Sequence, residues 1–368
     1  MNPTIIAFYL PQYHPTKEND EWYGKGFTEW TNVAKAKPLY RGHIQPRIPS
    51  ELGFYDLRVR DVVKEQTVLA KEAGVTAFCY YHYWFGNGKL LLEKPLESVL
   101  SDKEIDFPFC MCWANHSWYK KNWNADTGTL DKTLLQKQEY PGDDDIERHF
   151  YYVLPFLKDE RYLRIDGKPV FVLYVLKDIP NPCYFMNKWN ELAQNNGMPG
   201  IFFISYTDKK NELFSAPFVN TDATVLSLLN SVTKSNSTNK LVLYSLKVKK
   251  FISVLLKKPL LLYEYKDAIK HFTDSVEEND RVIPEIIPNW DYTPRQGAGN
   301  LILNNSTPEL FAEHVSSALN LIRNKPQNRQ ILFLKSWNEW GEGNYMEPDI
   351  TWGRGYIYSL RKTIEQFK

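Results

Sequence analysis

Two glutamates stand three residues apart near the end of the sequence, and their neighbours suit a reaction centre. Glu339 and Glu342 lie in Trp337-Asn-Glu-Trp-Gly-Glu-Gly343, directly after the apolar run 331–334. Unequal burial beside tryptophans would leave one carboxyl protonated and the other ionised, as acid–base chemistry at one bond requires. Gly341 is expected to adopt positive φ, so that both side chains point into one space. The alternative is acidic residues at a helix start capped by Asn338 or Asn344.

The rest of the chain alternates short apolar runs with amphipathic stretches, which is typical of strands alternating with helices. Eight strands are predicted to begin at Ile5, Val75, Phe107, Pro169, Ile201, Ala223, Val282 and Ile331. The second of them is expected to end at Tyr80, and a helix is expected over Trp189 to Asn195. Eight units predict an α/β fold of the (β/α)₈ TIM-barrel type. We expect one domain over residues 1–368, with a long irregular loop after strand 1 and an insertion near 230–280. The loop carries Glu29 and Trp30 and could fold over the pocket or lie at the surface. A doubly wound open sheet is the alternative, but no glycine-rich phosphate loop follows any strand.

Active sites of such barrels lie at the carboxyl ends of the strands, so polar and aromatic residues there are candidate substrate contacts. The candidates are Tyr13, His14, Glu29, Trp30, Tyr81, His82, Trp84, Trp113, Asn115, His116, Trp290, Asp291 and Asn338. Trp84, Trp113 and Trp290 would offer flat apolar faces to a sugar ring, with core packing as the alternative. Asp291 and Asn338 would hydrogen-bond ring hydroxyls.

Charge and composition narrow the function further. The formal net charge is +1, from 45 basic and 44 acidic residues, which argues against a nucleic-acid partner. Aromatic residues make up 15% of the chain and include 11 tryptophans, which suits either a carbohydrate enzyme or a dense core. The run Asp143–Asp145 could hold Mg²⁺ but is better explained as a helix start. We therefore expect no metal and no cofactor.

Cysteine usage and the first residues bear on location. Cys79, Cys110 and Cys112 lie in apolar runs, so buried free thiols and a reducing compartment are expected. The start resembles no signal peptide, and no apolar span would cross a bilayer, so a cytoplasmic protein is predicted. The lysine-rich segment 247–258 could touch a membrane or a lipid-linked glycan as a basic amphipathic hairpin, or be an insertion helix with a solvated lysine face.

Several longer motifs carry a resemblance to a known family. They include Phe8-Tyr-Leu-Pro-Gln-Tyr-His14, Gly24-Lys-Gly-Phe-Thr-Glu-Trp-Thr-Asn32, Cys79-Tyr-Tyr-His-Tyr-Trp-Phe85, Cys112-Trp-Ala-Asn115 and Trp337-Asn-Glu-Trp-Gly-Glu-Gly343. In these the chain resembles the WbsX-type glycosyltransferases and glycoside hydrolase family 99-like proteins. The resemblance implies a (β/α)₈ barrel acting on an α-mannoside-like glycosidic bond, in bacterial surface or capsular polysaccharide metabolism.

The resemblance also implies roles for the two glutamates. Glu339 would be the base that deprotonates the sugar's own 2-hydroxyl in a retaining reaction through a 1,2-anhydro sugar, and Glu342 the acid, then the base. Direct attack by one carboxylate, which needs about 5 to 5.5 Å between the pair, and inversion, which needs about 6.5 to 9.5 Å, stay open. So do a nucleotide-sugar-dependent glycosyltransferase and a non-catalytic glycan-binding barrel. His116 stands where the family pattern has Glu, and Gly341 where Ala is more usual.

Overall fold

A closed barrel of eight parallel strands forms the centre of the molecule. The computed structural model describes residues 2–124, 129–233 and 239–367, without the side chains of 121–124 and 129–132. The strands are β1 (Thr4–Tyr9), β2 (Ala77–Trp84), β3 (Phe109–Trp113), β4 (Lys168–Leu173), β5 (Phe202–Thr207), β6 (Ala223–Leu226), β7 (Val282–Ile286) and β8 (Ile331–Leu334). Each pairs with the next in parallel, and β8 returns to β1 with Ile5 opposite Leu332. The predicted (β/α)₈ barrel is confirmed.

Helices surround this barrel and fill its longer loops. They are α1 (Lys17–Tyr23), α2 (Glu29–Lys35), α3 (Arg60–Ala73), α4 (Lys94–Ser101), α5 (Asp143–Leu157), α6 (Pro182–Asn195), α7 (Lys240–Leu256), α8 (Tyr265–Ala268), α9 (Thr293–Gln296), α10 (Pro308–Ile322) and α11 (Gly355–Glu365). Local signals set several ends. Gly74 ends α3 at φ 82°, where its N–H bonds Ala70, and Thr307 caps α10 by accepting from Leu310 N.

The strands are buried on both faces, which explains why they appear in the sequence as continuous apolar runs. One large core runs through the barrel and under the helices. A smaller apolar cluster lies beneath α8 and includes Tyr265, Phe272 and Leu303. Two short pairings are added outside the barrel, Trp118–Asn124 with Thr129–Gln136 and Leu262–Glu264 with Ile302–Asn304.

Three sequence predictions need correction. The loop after β1 was expected to be irregular, but it holds α1 and α2, which begin after Thr16 and Thr28. Helix α6 begins at Pro182 rather than near Trp189, because Asn181 caps it by accepting from Tyr184 N. Strand β2 continues to Trp84 instead of ending at Tyr80, and this changes which of its side chains face inward.

Other expectations agree with the structure. Cys79, Cys110 and Cys112 are buried free thiols. Asp143–Asp145 form the first turn of α5, as the helix-start interpretation predicts. The segment 247–258 belongs mostly to a helix, α7, rather than to a hairpin. Within the described ranges, no helix has both the length and the apolar character needed to span a bilayer.

A buried carboxyl remote from the rim should make stability depend on pH. Burial raises the pKa of Glu277 to about 8, whereas the unfolded side chain ionises near pH 4.3. Between about pH 4.3 and pH 8, Glu277 is protonated in the native state but ionised in the unfolded chain. Its contribution to the free energy of unfolding is therefore fully present below about pH 4 and is lost as the pH rises through 8. We expect Glu277→Gln to remove this loss, up to about 1.4 kcal/mol per pH unit. Urea unfolding between pH 5 and 9 measures it, with exposed Glu278→Gln as the matched control; equal slopes would contradict it.

Candidate active site

The loop after β8 carries both predicted catalytic carboxylates. Asn338–Glu339 pairs antiparallel with Asn344–Tyr345, and Trp340–Glu342 forms a tight turn between them. The chain reverses at Gly343, which has φ 67°. The expectation that Gly341 supplies the positive φ is wrong, since it lies inside the turn in ordinary helical conformation and serves another purpose described below.

Hydrogen bonds from the end of β1 hold this loop in place. The Asn338 amide accepts from Leu10 N at 2.7 Å and donates to Leu10 O at 3.0 Å. The Tyr13 hydroxyl donates to Asn338 O and accepts from Trp340 N at 3.2 Å. Asn338 and Tyr13 are fully buried. The structure therefore places these two predicted substrate contacts behind the loop, where they position it.

One guanidinium joins three carboxylates at the rim. Arg295, on α9 after β7, donates from Nε to Glu29 at 2.8 Å and from Nη2 to Glu339 at 2.8 Å. Its Nη1 donates to Glu342. Glu29 reaches the cluster from α2, in the long loop that was expected to fold over the pocket or to lie at the surface. Arg295 thus holds Glu339 and Glu342 in one space, as the sequence predicted for the pair.

The two glutamates differ in burial and protonation. Burial, reinforced by the charge of Glu342, raises the pKa of Glu339 to about 8, and Arg295 opposes the rise. The Glu342 side chain is twice as exposed, at 16% against 8%. Glu339 therefore keeps its proton near neutral pH. This is the unequal protonation that acid–base work by a carboxylate pair requires.

Gly341 makes room for this cluster. A Cβ built at this position would lie 1.7 Å from Glu29 Oε1 and 3.0 Å from Arg295 Nε. No side chain fits there while Glu29 keeps its position. The glycine was considered a minor departure from the family pattern, but the structure shows that it is required by the ion cluster.

Two clefts adjoin each other near the carboxylates. One, of about 610 Å³, is lined by Glu29, His116, Tyr292 and Arg295. The other, of about 460 Å³, is lined by Tyr174, Tyr206, Trp290 and Lys335. Their linings touch at two ring contacts, Trp290 stacked with Tyr292 and His116 beside Tyr174, each with centroids 6.0 Å apart. The first cleft reaches the acid pair through Arg295, which lines it and bonds both glutamates.

The alternation of side chains along β2 decides which of its candidate residues face the barrel interior. Tyr81 and Tyr83 face the barrel interior near Glu339, whose charge adds to burial in raising the pKa of both phenols. His82 and Trp84 point outward instead. His82 Nε2 lies 2.8 Å from His149 Nε2, and Trp84 donates to Asp145 at 3.0 Å. The expectation that these two side chains face the rim is therefore corrected.

Trp113 also lies outside the barrel, in the layer between its strands and helices α5 and α6. Its indole N–H donates to Trp84 O at 2.9 Å, and its ring packs on Phe185 with centroids 5.4 Å apart. Trp84 and Trp113 are therefore packed in the core, which was the alternative to their binding a sugar ring. Trp290, the third predicted platform, is partly exposed in the second cleft.

Four more candidate side chains are buried and contact other groups of the protein. Asp291 accepts from His43, Gln45 and Thr293. Burial alone would raise its pKa, but the bond from His43 and the charge of Arg47 lower it to about 2. Asn115 bonds both backbone groups of Val175 at 2.9 Å. His14 contacts Pro11 O at 3.0 Å, and Trp30 donates to Tyr55 O at 2.7 Å. The structure therefore places all four in the framework of the rim.

His116 lines the first cleft, and burial lowers the pKa of its imidazole, so it is neutral there.

The sequence analysis did not identify several residues that the structure places at the site. They are Arg295, Lys335, Tyr83, Tyr174, Tyr206 and Tyr292. Lys335 Nζ lies 5.7 Å from the Trp290 ring centre and donates to Tyr206 at 2.9 Å. Lys335 directly follows β8, and this position could have identified it as a site residue. No local sequence feature identifies Arg295. The described residues include no group of three His, Cys, Asp or Glu side chains placed to hold a metal ion.

Comparison with known proteins gives the family. The family described as "Glycosyltransferase WbsX" matches residues 5–360. The chain belongs to the WbsX family. A curated relative, the uncharacterized protein WxcX of Xanthomonas campestris pv. campestris strain B100, is 32% identical over 365 residues. The alignment covers 98% of this chain and 49% of that relative, so the chain spans about half the length of the curated proteins it matches.

Solved structures share the WbsX-family barrel. The GH99 endo-alpha-mannosidase from Bacteroides thetaiotaomicron superposes with a TM-score of 0.59 at 15% identity, covering 99% of this chain and 97% of that one. A "Glycoside hydrolase-like protein" gives 0.58 at 14% identity, covering 100% and 94%. At such identities the likeness concerns the fold.

Removing the bridging cation should move the titration of the acid pair. Because Arg295 lowers the pKa of Glu339, Arg295→Met is expected to shift the limb of the pH–rate profile that reports Glu339 to higher pH. Arg295→Lys keeps a positive charge and should shift it less. The profile of kcat/KM from pH 5 to about 9.5 measures both variants. An unmoved limb in Arg295→Met would mean that Glu339 does not control the profile.

Proposed function

We propose that this chain is a carbohydrate-active enzyme that breaks or transfers a glycosidic bond, with Glu339 and Glu342 as its catalytic carboxylates. The observation that carries the proposal is the acid pair on Arg295, in which burial raises the pKa of Glu339 to about 8, beside a cleft that Arg295 lines. Membership of the WbsX family and the fold of glycoside hydrolases support the choice of substrate.

For the bond itself we propose an α-mannoside-like linkage cleaved with retention, in bacterial surface or capsular polysaccharide metabolism. The fold of a GH99 endo-alpha-mannosidase supports this linkage. Glu339 would take the proton of the sugar 2-hydroxyl and Glu342 would protonate the leaving oxygen. In the unliganded site the proton rests mainly on Glu339, so this assignment requires it to pass to Glu342 when substrate binds.

Arg295 has a part in this scheme as a positioning residue. It links the two glutamates and compensates their charge, so both can lie in one buried space. Trp290 and Tyr292 offer stacked aromatic faces where the clefts meet, a suitable surface for a sugar ring. The two adjoining clefts leave room for a glycan of several sugars, as internal cleavage or transfer requires.

A nucleotide-sugar-dependent glycosyltransferase is the second candidate, because the family description names that activity. It would need cations for a pyrophosphate. Lys177 and Lys209 line the second cleft but pair with Glu212, at 2.8 and 3.4 Å, and Lys335 in the same cleft lies 3.8 Å from Glu285. These pairings support the first candidate.

Product analysis separates these functions. The protein is incubated with a panel of α-linked oligosaccharides, with and without a mixture of nucleotide sugars, and the products are read by mass spectrometry. We expect shorter or rearranged glycans without nucleotide. Longer glycans that appear only with a nucleotide sugar would overturn the proposal in favour of the transferase. Glycan binding without turnover, unchanged in Glu339→Gln and Glu342→Gln, would indicate a non-catalytic barrel.

A further inference from the structure

Helix α7 carries a row of apolar side chains on the face turned away from the protein. Leu241, Tyr244 and Leu255 are 78, 68 and 64% exposed. Val248 and Phe251 complete the row at 36 and 46%. The spacing alternates between three and four residues, which aligns all five on one side of a helix.

The opposite face of α7 is the buried one. Leu246 and Ser253 are its buried residues, and helical geometry sets them about 160 to 180° from the apolar row. The Ser253 hydroxyl accepts from Leu260 N at 3.0 Å and donates to Lys249 O at 2.8 Å, which ties the end of the helix to the chain that follows. The helix is therefore anchored with its apolar row outward.

Only positive charge accompanies this row. Residues 223–263 contain no Asp or Glu. The lysines on α7 and just after it are Lys240, Lys247, Lys249, Lys250, Lys257 and Lys258. A water-facing helix gains nothing from exposed leucine. An apolar helix face whose charged neighbours are all lysines complements an anionic lipid surface, because the lysines can bind the headgroup phosphates.

We propose that α7 lies along an anionic lipid surface, with the row Leu241, Tyr244, Val248, Phe251 and Leu255 in the acyl boundary and the lysines among the headgroups. Tyrosine and phenylalanine suit this depth, since aromatic rings favour the interface between water and hydrocarbon. At 17 residues with six nearby lysines, the segment lies on a bilayer rather than in it. Binding of this kind stands independently of the proposed function.

The placement of α7 gives the binding a consequence for the site, and this step rests on the proposed function. The helix packs on the turn Gly297–Gly299, where a Cβ on Gly299 would lie 2.7 Å from Val254. That turn follows α9, which carries Arg295. A lipid surface under α7 would therefore lie one helix away from the turn that follows Arg295, and glycans anchored in that lipid are the substrate class we infer.

Sedimentation with vesicles tests the proposal on the full chain. Vesicles contain phosphatidylcholine alone or with one third phosphatidylglycerol, and the bound fraction gives the partition constant. We expect binding to the anionic vesicles only. Lys247→Gln/Lys249→Gln/Lys250→Gln should weaken it about a hundredfold, since each lysine adds about a fivefold attraction. Leu241→Ser/Tyr244→Ser/Leu255→Ser should abolish it.

The matched control is Val68→Ser/Tyr151→Ser, which removes apolar side chains that are 63 and 51% exposed on other helices. It should bind as the unchanged protein does, and circular dichroism checks that every variant is folded. Absence of binding to anionic vesicles, or equal loss in the control, would overturn the proposal. So would a dimer in sedimentation velocity that the α7 serine variant dissociates, because the row would then join two copies. Glycan turnover is measured separately, so vesicle binding without turnover would fault the proposed function alone.

Discussion

Glu342→Gln is expected to lower kcat/KM on a glycoside with a poor leaving group by about 10³-fold, because the departing oxygen loses its proton donor. The fold should be unaffected, since the Glu342 side chain lies at the cleft and its bond to Arg295 can be kept by an amide oxygen. Kinetics on the substrate found by product analysis measure the effect. Glu313→Gln, an exposed carboxyl on α10, is the matched control and should retain full activity.

An activated leaving group then distinguishes the two glutamates. An aryl glycoside whose phenol leaves without protonation should restore bond cleavage in the variant that lacks the acid, but not in the one that lacks the base. We expect rescue in Glu342→Gln and none in Glu339→Gln. The reverse pattern would exchange the roles and agree with the resting proton on Glu339. Full activity of either variant on the unactivated substrate would remove that residue from catalysis.

Gly341→Ala should be the most damaging small substitution at the rim. The added methyl would lie 1.7 Å from Glu29 Oε1, so Glu29 must leave Arg295 or the turn must move. Overpacking of this kind costs about 1 to 3 kcal/mol, and an ångström of displacement at reacting groups costs about 10²-fold in rate. We therefore expect a loss of activity near 10²-fold with a modest fall in Tm.

Glu29→Ala provides the internal control. Once the Glu29 carboxylate is gone, the methyl at position 341 has space, so adding Gly341→Ala to Glu29→Ala should cost little more. Activity and Tm of the two single variants and the double variant complete the cycle. Additive losses would mean that the methyl acts through something other than Glu29.

Sequence patterns were sufficient for the barrel and for the acid pair, since both depend on local information. The strands are apolar on both faces, and Glu339 and Glu342 directly follow the last one. Side-chain direction was harder. Ending β2 at Tyr80 put His82 and Trp84 on the rim, whereas the longer strand turns them outward by simple alternation.

The remaining site residues depend on contacts that no local pattern encodes. Arg295 meets Glu29 across 266 positions of sequence, and its short helix looks like any polar turn. Gly341 could only be understood once Glu29 was placed beside it. Asp291 shows the converse error, because a rim carboxylate with a suitable sequence position is fully used by His43, Gln45 and Thr293.

The seam between β1 and β8 has a consequence for how the protein is made. Leu10 and Asn338 are bonded across 328 positions, so the ring of strands stays open until the last of them has been synthesised. Up to that moment β1 and β7 each present an unpaired edge, which is a template for aggregation. The same late event completes the proposed reaction centre, because Glu339 and Glu342 follow the closing strand. Closure of the ring and assembly of the acid pair are therefore one step, and a ribosome-stalled chain ending before β8 should be both inactive and prone to aggregate.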